Sequence, residues 1–411
     1  MSTFFWSVPR ENVRNLNKHA VVDLIRFTSN GISRVELARK LNITRAAITS
    51  IINDLQSIGM VDEVEGQSHS GRKPIVLEIT PNHGHVVGID IGATHATILL
   101  ANYAAHVIKD LEWPLKIGDG PQNVLNQVNQ QLQELLKESG IGIENIKAIC
   151  VGVPGPVVLH AGMVSEPPIM PGWDKFPIEN YIKSLWNVPV SVGNDAELGA
   201  IGEWAYGAGR GEENLAYIKV GRGIGAGLLL DGQIYRGADG SAGEIGHFTI
   251  DENGPLCSCG NRGCLEALAG GEAVAKRARA AVKSGQRTEL SLIEPIEEIQ
   301  SRDVIAAACN GDLLSQQILS DAGAHLGTAI SGLVNLFNPS IIIIGGGVSQ
   351  IGDLLLEPIR RTVQRRSLKM ASKRLRITTA LLGRRSSGMG AVVQALSLVL
   401  HQEIENNSEG R

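Results

Sequence analysis

The chain has 411 residues, 43% of them hydrophobic and 4% aromatic, with a formal net charge of −4. That length supports two or three domains around a sizeable core. No apolar run approaches the ~20 residues needed to span a bilayer, and the first ten residues lack the basic start and apolar stretch of a secretory signal. A cytoplasmic protein with no membrane partner is therefore expected.

Charge is unevenly spread. Residues 1–82 carry ten Lys/Arg against eight Asp/Glu, whereas the remainder carries 28 against 34. A mildly basic head on an acidic body is consistent with one DNA-contacting module. The spacing predicts a helix over 12–28, with Leu16, Val21, Leu24 and Ile25 on one side and Asn30-Gly31 as its stop. Ser33 and Glu36 have capping-box form at the start of a second helix. Thr44 is the expected N-cap of a third. In that helix Ile48, Ile51, Ile52 and Leu55 make an inward stripe at i, i+3, i+4 and i+7. The opposite face offers Arg45, Ala46, Thr49, Ser50 and Asn53, short or hydrogen-bonding side chains suited to a major groove.

Two strands are expected at 61–65 and 75–79, joined by a glycine-containing basic tip that includes Arg72 and Lys73. This is the pattern of a winged helix-turn-helix, with Arg72 available to a minor groove and Lys73 to phosphate. Arg34 and Thr44 complete the candidate DNA contacts. A three-helix unit with a hairpin can also bind protein, and that alternative stays open.

After a short linker at 80–84 comes a strand, a turn at Asp90-Ile91-Gly92-Ala93-Thr94, and a second strand. Turn N–H groups with a Thr hydroxyl can cradle phosphate, and Asp90 can hold a hydrated magnesium ion. Leucines and valines at helical spacing over 124–136 read as core packing, and Cys150 and Cys309 as inert core thiols. A strand at 148–153 runs into Pro154-Gly155-Pro156. Asp195, in Val192-Gly193-Asn194-Asp195, is read as ending another buried strand. There it could take a proton from a bound hydroxyl while Asn194 orients the ligand, or serve as a helix N-cap. Glycine turns recur at Gly221-Arg222-Gly223-Ile224-Gly225 and at Gly345-Gly346-Gly347.

Between these turns lies the densest chemistry. His247, in Glu244-Ile245-Gly246-His247, is followed by Cys257, Cys259 and Cys264, three of only five cysteines. The intervening glycines permit tight turns. A Cys3His set makes a closed, four-coordinate zinc site of the structural kind. A disulfide loop or unrelated thiols is the alternative reading.

The order of these motifs resembles the ROK family (repressors, open reading frames and kinases), specifically its sugar-responsive repressors of the xylose and N-acetylglucosamine type. The likeness runs over about residues 10–400, and its most specific element is ExGH followed by CxCGxxGCLE. The resemblance implies an α/β fold, a winged helix-turn-helix followed by an actin-like two-lobed body with a sugar cleft. It implies structural zinc on His247, Cys257, Cys259 and Cys264, and a sugar-binding set of Asn194, Asp195, Glu244, His247 and Glu266. It divides the chain into a DNA-binding head (1–82), a small lobe (83–193) completed by a C-terminal helix (388–403), and a large lobe (194–387) carrying the zinc loop and a dimerisation surface.

Kinases of the family carry DxGGT and GTGIGGG, whereas here Ala93 and Arg222 interrupt the two turns. Asp90, Gly92, Thr94, Gly223 and Gly225 therefore read as vestigial phosphate turns, and ATP with Mg2+ is not expected as a cofactor. The expected function is a sugar-released repressor, not an enzyme. It binds a palindromic operator as a homodimer or tetramer, nucleoid-associated when bound. The alternatives are a sugar kinase carrying a DNA-binding head, sustained by Asp195, and a body that docks a phosphotransferase protein.

Overall fold

The computed structural model describes residues 13–28, 30–66, 73–158, 161–167, 170–347 and 351–409, the side chains of 13–16 and 408–409 excepted. Arg72 and the Leu16 side chain lie outside that description. The first three helices are α1 (Val13–Phe27), α2 (Arg34–Leu41) and α3 (Arg45–Ser57). Ser33 and Glu36 form the reciprocal capping box, and the Thr44 hydroxyl accepts the Ala47 N–H at 3.2 Å. Between α2 and α3, Asn42 takes the left-handed conformation (φ 54°) that ends a helix without glycine. Ile48, Ile51, Ile52 and Leu55 are all buried. The strands β1 (Val61–Glu65) and β2 (Ile75–Ile79) pair antiparallel, Val61 opposite Ile79 and Glu65 opposite Ile75.

The body repeats one sheet plan twice. In chain order it runs β3 (His85–Ile91), β4 (His95–Asn102), β5 (Val107–Pro114), α4 (Pro121–Ser139), β6 (Ile146–Val153), β7 (Val157–Val158), β8 (Met163–Val164), α5 (Ile178–Trp186), β9 (Val190–Asn194) and α6 (Asp195–Tyr206). The second round is β10 (Leu215–Val220), β11 (Ile224–Leu230), β12 (Gln233–Ile234), α7 (Leu265–Ala269), α8 (Gly271–Lys283), α9 (Ser301–Cys309), α10 (Leu313–Phe337), β13 (Ile341–Gly345), α11 (Asp353–Arg366), α12 (Lys369–Ser372), β14 (Arg376–Thr379) and α13 (Ser386–Glu409). The sheet orders are β5-β4-β3-β6-β9 and β12-β11-β10-β13-β14. In each, three antiparallel strands are followed by two parallel ones, as an actin-like α/β body requires.

Two helices, α6 and α13, meet backbone to backbone. A Cβ at Gly390 would overlap the Leu198 carbonyl, one at Gly202 the Ser386 carbonyl, and one at Gly88 the Gly388 carbonyl. Only glycine allows that approach. The entry to α13 is anchored by Glu203, which is fully buried. Its carboxylate accepts the N–H groups of Ala208, Leu381 and Leu382 and the Ser386 hydroxyl at 2.7–3.0 Å. Those bonds offset the cost of taking a charge out of water.

The head is docked on this helix. Val21, Ile25, Ile48 and Leu77 belong to the same apolar cluster as Val86, Leu99, Val392 and Leu396. The buried Arg26 guanidinium donates to Ser397 Oγ (3.0 Å) and the Val393 carbonyl (3.1 Å), with Asp23 at 3.5 Å. His19 stacks on His401 at 4.2 Å, and Phe27 meets Trp204 edge-on at 4.8 Å. The linker is held too, since His83 Nε2 lies 3.0 Å from Glu403, which also accepts the Tyr103 hydroxyl.

Two expectations need correction. Asp195 does not end a strand: β9 stops at Asn194, and Asp195 is the first residue of α6. The cap is Asn194, whose Oδ1 accepts the Ala196 and Glu197 N–H groups. Cys309 is exposed, not core, because it is the last residue of α9 just before Asn310-Gly311; Cys150 is buried as expected. Gly390→Ala should lower stability by about 1–3 kcal/mol through overpacking. Urea unfolding reads this directly, and an unchanged midpoint would mean α6 and α13 do not touch there.

Candidate functional site

An open cleft of about 1000 Å³ lies between the two sheets. Asn194, Asp195, Glu244, His247 and Glu266 all line it, as do Asp90, Gly92, Thr94, Gly223 and Gly225. Residues from distant parts of the chain thus converge on one concavity. In the first turn the Gly92 N–H closes onto the His95 carbonyl at 2.8 Å, and Thr94 is exposed. In the second turn Arg222 is exposed and lines the cleft.

Cys257 Sγ lies 3.7 Å from His247 Nδ1, and Cys259 Sγ lies 3.7 Å from Cys264 Sγ. The four ligand atoms fall within 4.8 Å of one another. A tetrahedral zinc with bonds of about 2.0–2.3 Å sets ligand–ligand edges at roughly 3.5–3.8 Å. A disulfide requires sulfurs about 2.05 Å apart, which the observed spacing excludes. Gly260 (φ 90°) and Gly263 (φ 64°) supply the backbone turns that bring the thiols together. The donor set therefore fits a closed metal site.

The Cys3His loop is tied to the cleft at two points. His247 turns Nδ1 toward Cys257, while its Nε2 lies 4.0 Å from Glu244 Oε2. Glu266 stands in the first turn of α7, directly after Cys264-Leu265. Its Oε2 accepts the Ile224 N–H (3.1 Å) and its Oε1 the Ser258 hydroxyl (3.3 Å). A Cβ at Gly223 would displace this carboxylate from its place against the turn. Burial pushes the Glu244 carboxyl above the usual carboxylate range; His247 opposes this, and Asp195 and Glu266 add to it.

Asn194 is more occupied than an orienting amide need be. Besides capping α6, it donates through Nδ2 to the Gly155 carbonyl at 3.0 Å. Asp195 is paired with a residue that sequence reasoning passed over. Lys219 Nζ sits 2.9 Å from Asp195 Oδ2 and 3.5 Å from Asp90 Oδ2, and donates to Ser387 Oγ at 3.1 Å. The signal was a single lysine in Leu215-Ala216-Tyr217-Ile218-Lys219-Val220, an otherwise apolar strand before a glycine turn. Burial works against the Lys219 ammonium, but Asp195 and Asp90 outweigh it and raise its pKa. Burial raises the Asp90 carboxyl, with Lys219 opposing.

On the head, Arg45, Ala46, Thr49, Ser50 and Asn53 form one exposed face of α3. Arg34 is engaged within the head: it bonds Glu63 (2.8 Å), Asn53 Oδ1 (3.3 Å) and Gln56 Oε1 (3.1 Å). It thereby braces α2 against α3 and β1. Lys73 makes a solvent-exposed pair with Glu65 at 3.0 Å, a contact weak enough for phosphate to displace.

The ROK family pattern matches residues 86–397. The chain belongs to the ROK family. The xylose repressor of Caldicellulosiruptor bescii is 31% identical over 389 residues, covering 94% of this chain and 97% of that protein. A ROK family transcriptional regulator, homologous to the Escherichia coli MLC protein, superposes with a TM-score of 0.80 at 28% identity, covering 96% of this chain and 99% of the regulator. A ROK glucokinase from Streptomyces griseus, solved with glucose and AMPPNP, gives 0.68 at 26% identity and covers 76% of this chain and 99% of the kinase. Among the described residues, no helix is long and apolar enough to cross a membrane.

One zinc per chain is expected by elemental analysis, falling to near zero in Cys264→Ser. Removal of the ion from the wild type by a strong chelator should lower the melting temperature. Metal-free protein with unchanged melting would remove the structural role.

Proposed function

We propose that the protein is a sugar-responsive transcriptional repressor, in which a sugar held in the ROK cleft releases the winged helix-turn-helix from operator DNA. The observation that carries this reading is the joining of a sugar-kinase-like cleft to an exposed α3 face by one continuous helix. Full-length similarity to a xylose repressor and to a ROK regulator supports it. Interruption of both phosphate turns by Ala93 and Arg222 argues against efficient phosphoryl transfer, which depends almost entirely on positioning and electrostatics.

In this reading Asp195, Glu244 and Glu266 accept hydrogen bonds from sugar hydroxyls, and His247 presents Nε2 to a hydroxyl. His247, Cys257, Cys259 and Cys264 hold zinc. When bound, the metal splints the loop and fixes the imidazole tautomer; a closed site leaves no open position for Lewis-acid chemistry. Asn194 holds the start of α6 in place beneath the ligand. Arg45 and its neighbours on α3 read the operator, Lys73 meets phosphate, and Arg34 keeps the helices in register. Presenting two recognition helices at fixed spacing calls for a homodimer on a palindromic site.

The route between the sites is α13. Its first turn touches the cleft through Ser387, which accepts from Lys219 and donates to the Asp195 carbonyl at 2.8 Å. Ten residues on, about 15 Å along a rigid helix, Ser397 holds Arg26 of the head. Cleft closure that shifts α13 therefore moves α1. The ligand does this only by binding the two states with different affinity, so sugar and operator oppose each other reciprocally.

The test is anisotropy of labelled upstream DNA, titrated with protein in the presence and absence of a sugar panel. Salt-dependent binding released by one sugar is the expected result; no specific DNA binding under any sugar would reject the repressor reading. Asp195→Asn should bind operator normally yet resist release. Arg45→Ala should weaken operator binding by about tenfold while sparing sugar affinity. Arg26→Met should keep sugar affinity but reduce the fold-release of operator, and full retention of release would exclude α13 as the route.

A further inference from the structure

Lys219 belongs to β10 of the second sheet, yet its partners come from three other elements. Asp90 lies in β3 of the first sheet, Asp195 opens α6, and Ser387 lies in the first turn of α13. An ammonium has three N–H donors. Here they meet Asp195 Oδ2, Asp90 Oδ2 and Ser387 Oγ at 2.9, 3.5 and 3.1 Å, so the head group is saturated by the protein. Its side chain is 19% exposed, and those of Asp90 and Asp195 are 7% and 13%.

Two carboxylates this close and this dry repel each other unless a cation stands between them. Proteins commonly fill such a gap with a divalent ion, which also bridges to the phosphates of a nucleotide. Here a side chain fills it. We propose that Lys219 is a built-in counter-ion, a positioning residue that takes the place of a divalent cation between Asp90 and Asp195 and makes the cleft a metal-independent receptor for uncharged sugars. The proposal deepens, and rests on, the reading of the cleft as a sugar receptor.

Two consequences follow from the geometry. With Asp90 facing an ammonium, its carboxylate is not available as the ionic partner of a metal–nucleotide complex. With Oδ2 of Asp195 taken by Lys219, the carboxylate meets a sugar hydroxyl as an acceptor fixed in orientation, through its remaining lone pairs. The same ammonium joins both sheets to α13, so it sets the geometry from which the helix departs.

The experiment uses the full-length, zinc-loaded chain with Mn2+ alone as the probe, followed by calorimetry and by paramagnetic relaxation of water protons. The wild type is expected to bind no Mn2+ in the cleft at millimolar concentration. Lys219→Ala is expected to bind one ion per chain at least about tenfold more tightly, because it frees two facing carboxylates. Adding Asp90→Asn to that variant should abolish the gain. Sugar binding by the wild type should be unchanged by EDTA applied for too short a time to strip the structural zinc.

Wild-type Mn2+ binding that Asp90→Asn removes would overturn the proposal, as would a folded Lys219→Ala that gains no site. If the alanine variant does not fold, Lys219→Gln keeps the chain length without the charge and is judged by the same gain. Sugar-dependent ATP turnover by the wild type would sink the receptor reading itself. Mn2+ binding without turnover sinks only the role given to Lys219.

Discussion

The contact on which the rest of this structure depends is the one between α6 and α13. Gly88, Gly202, Gly388 and Gly390 let two helices and a strand approach at backbone distance, without intervening side chains. Contacts of that kind have little give, because no rotamer can absorb a displacement. The start of α6 carries Asp195, and the start of α13 carries Ser387, so the floor of the cleft is machined from the same two helices. Whatever moves one of them moves the other.

Charge in the cleft is arranged around a second constraint, near-neutrality in a partly dry space. Asp90 and Asp195 share Lys219, and Glu266 is answered by a backbone N–H and Ser258. Glu244 is the carboxyl with least local compensation of these, and burial has raised it. The Cys3His loop and the second glycine turn are not independent either. Glu266 spans them, so loss of order in one is felt by the other.

Much of this was readable from residue order. Capping residues announced themselves because Ser33, Glu36 and Thr44 satisfy backbone groups within three or four positions. The metal cluster was equally local, with three thiols within eight residues and a histidine ten positions before the first. Long-range pairings were not readable. Lys219 finds Asp90 across 129 positions and Ser387 across 168, and nothing in its own neighbourhood names those partners. Arg34, a candidate DNA contact by sequence, is reached by Glu63 and Gln56 through the tertiary turn of the head, partners its own neighbourhood does not name. Asp195 was displaced by one position for a simpler reason: Asn and Asp cap equally well, Asn194 takes the cap, and the helix begins a residue sooner.

The seam between α1 and α13 bears on how such a molecule can be rebuilt. Arg26, Asp23, His19 and His401 are enclosed where head meets body, and the apolar cluster crosses the same boundary. A head transplanted onto a body without Ser397 and the Val393 carbonyl at these positions would carry a stranded guanidinium into an apolar joint. A body shorn of its head would open to water the face of α13 that carries the Val393 carbonyl and Ser397. Modularity in this chain is thus a property of its gene order more than of its surfaces, and interchange of heads and bodies demands matched changes on both sides of the seam.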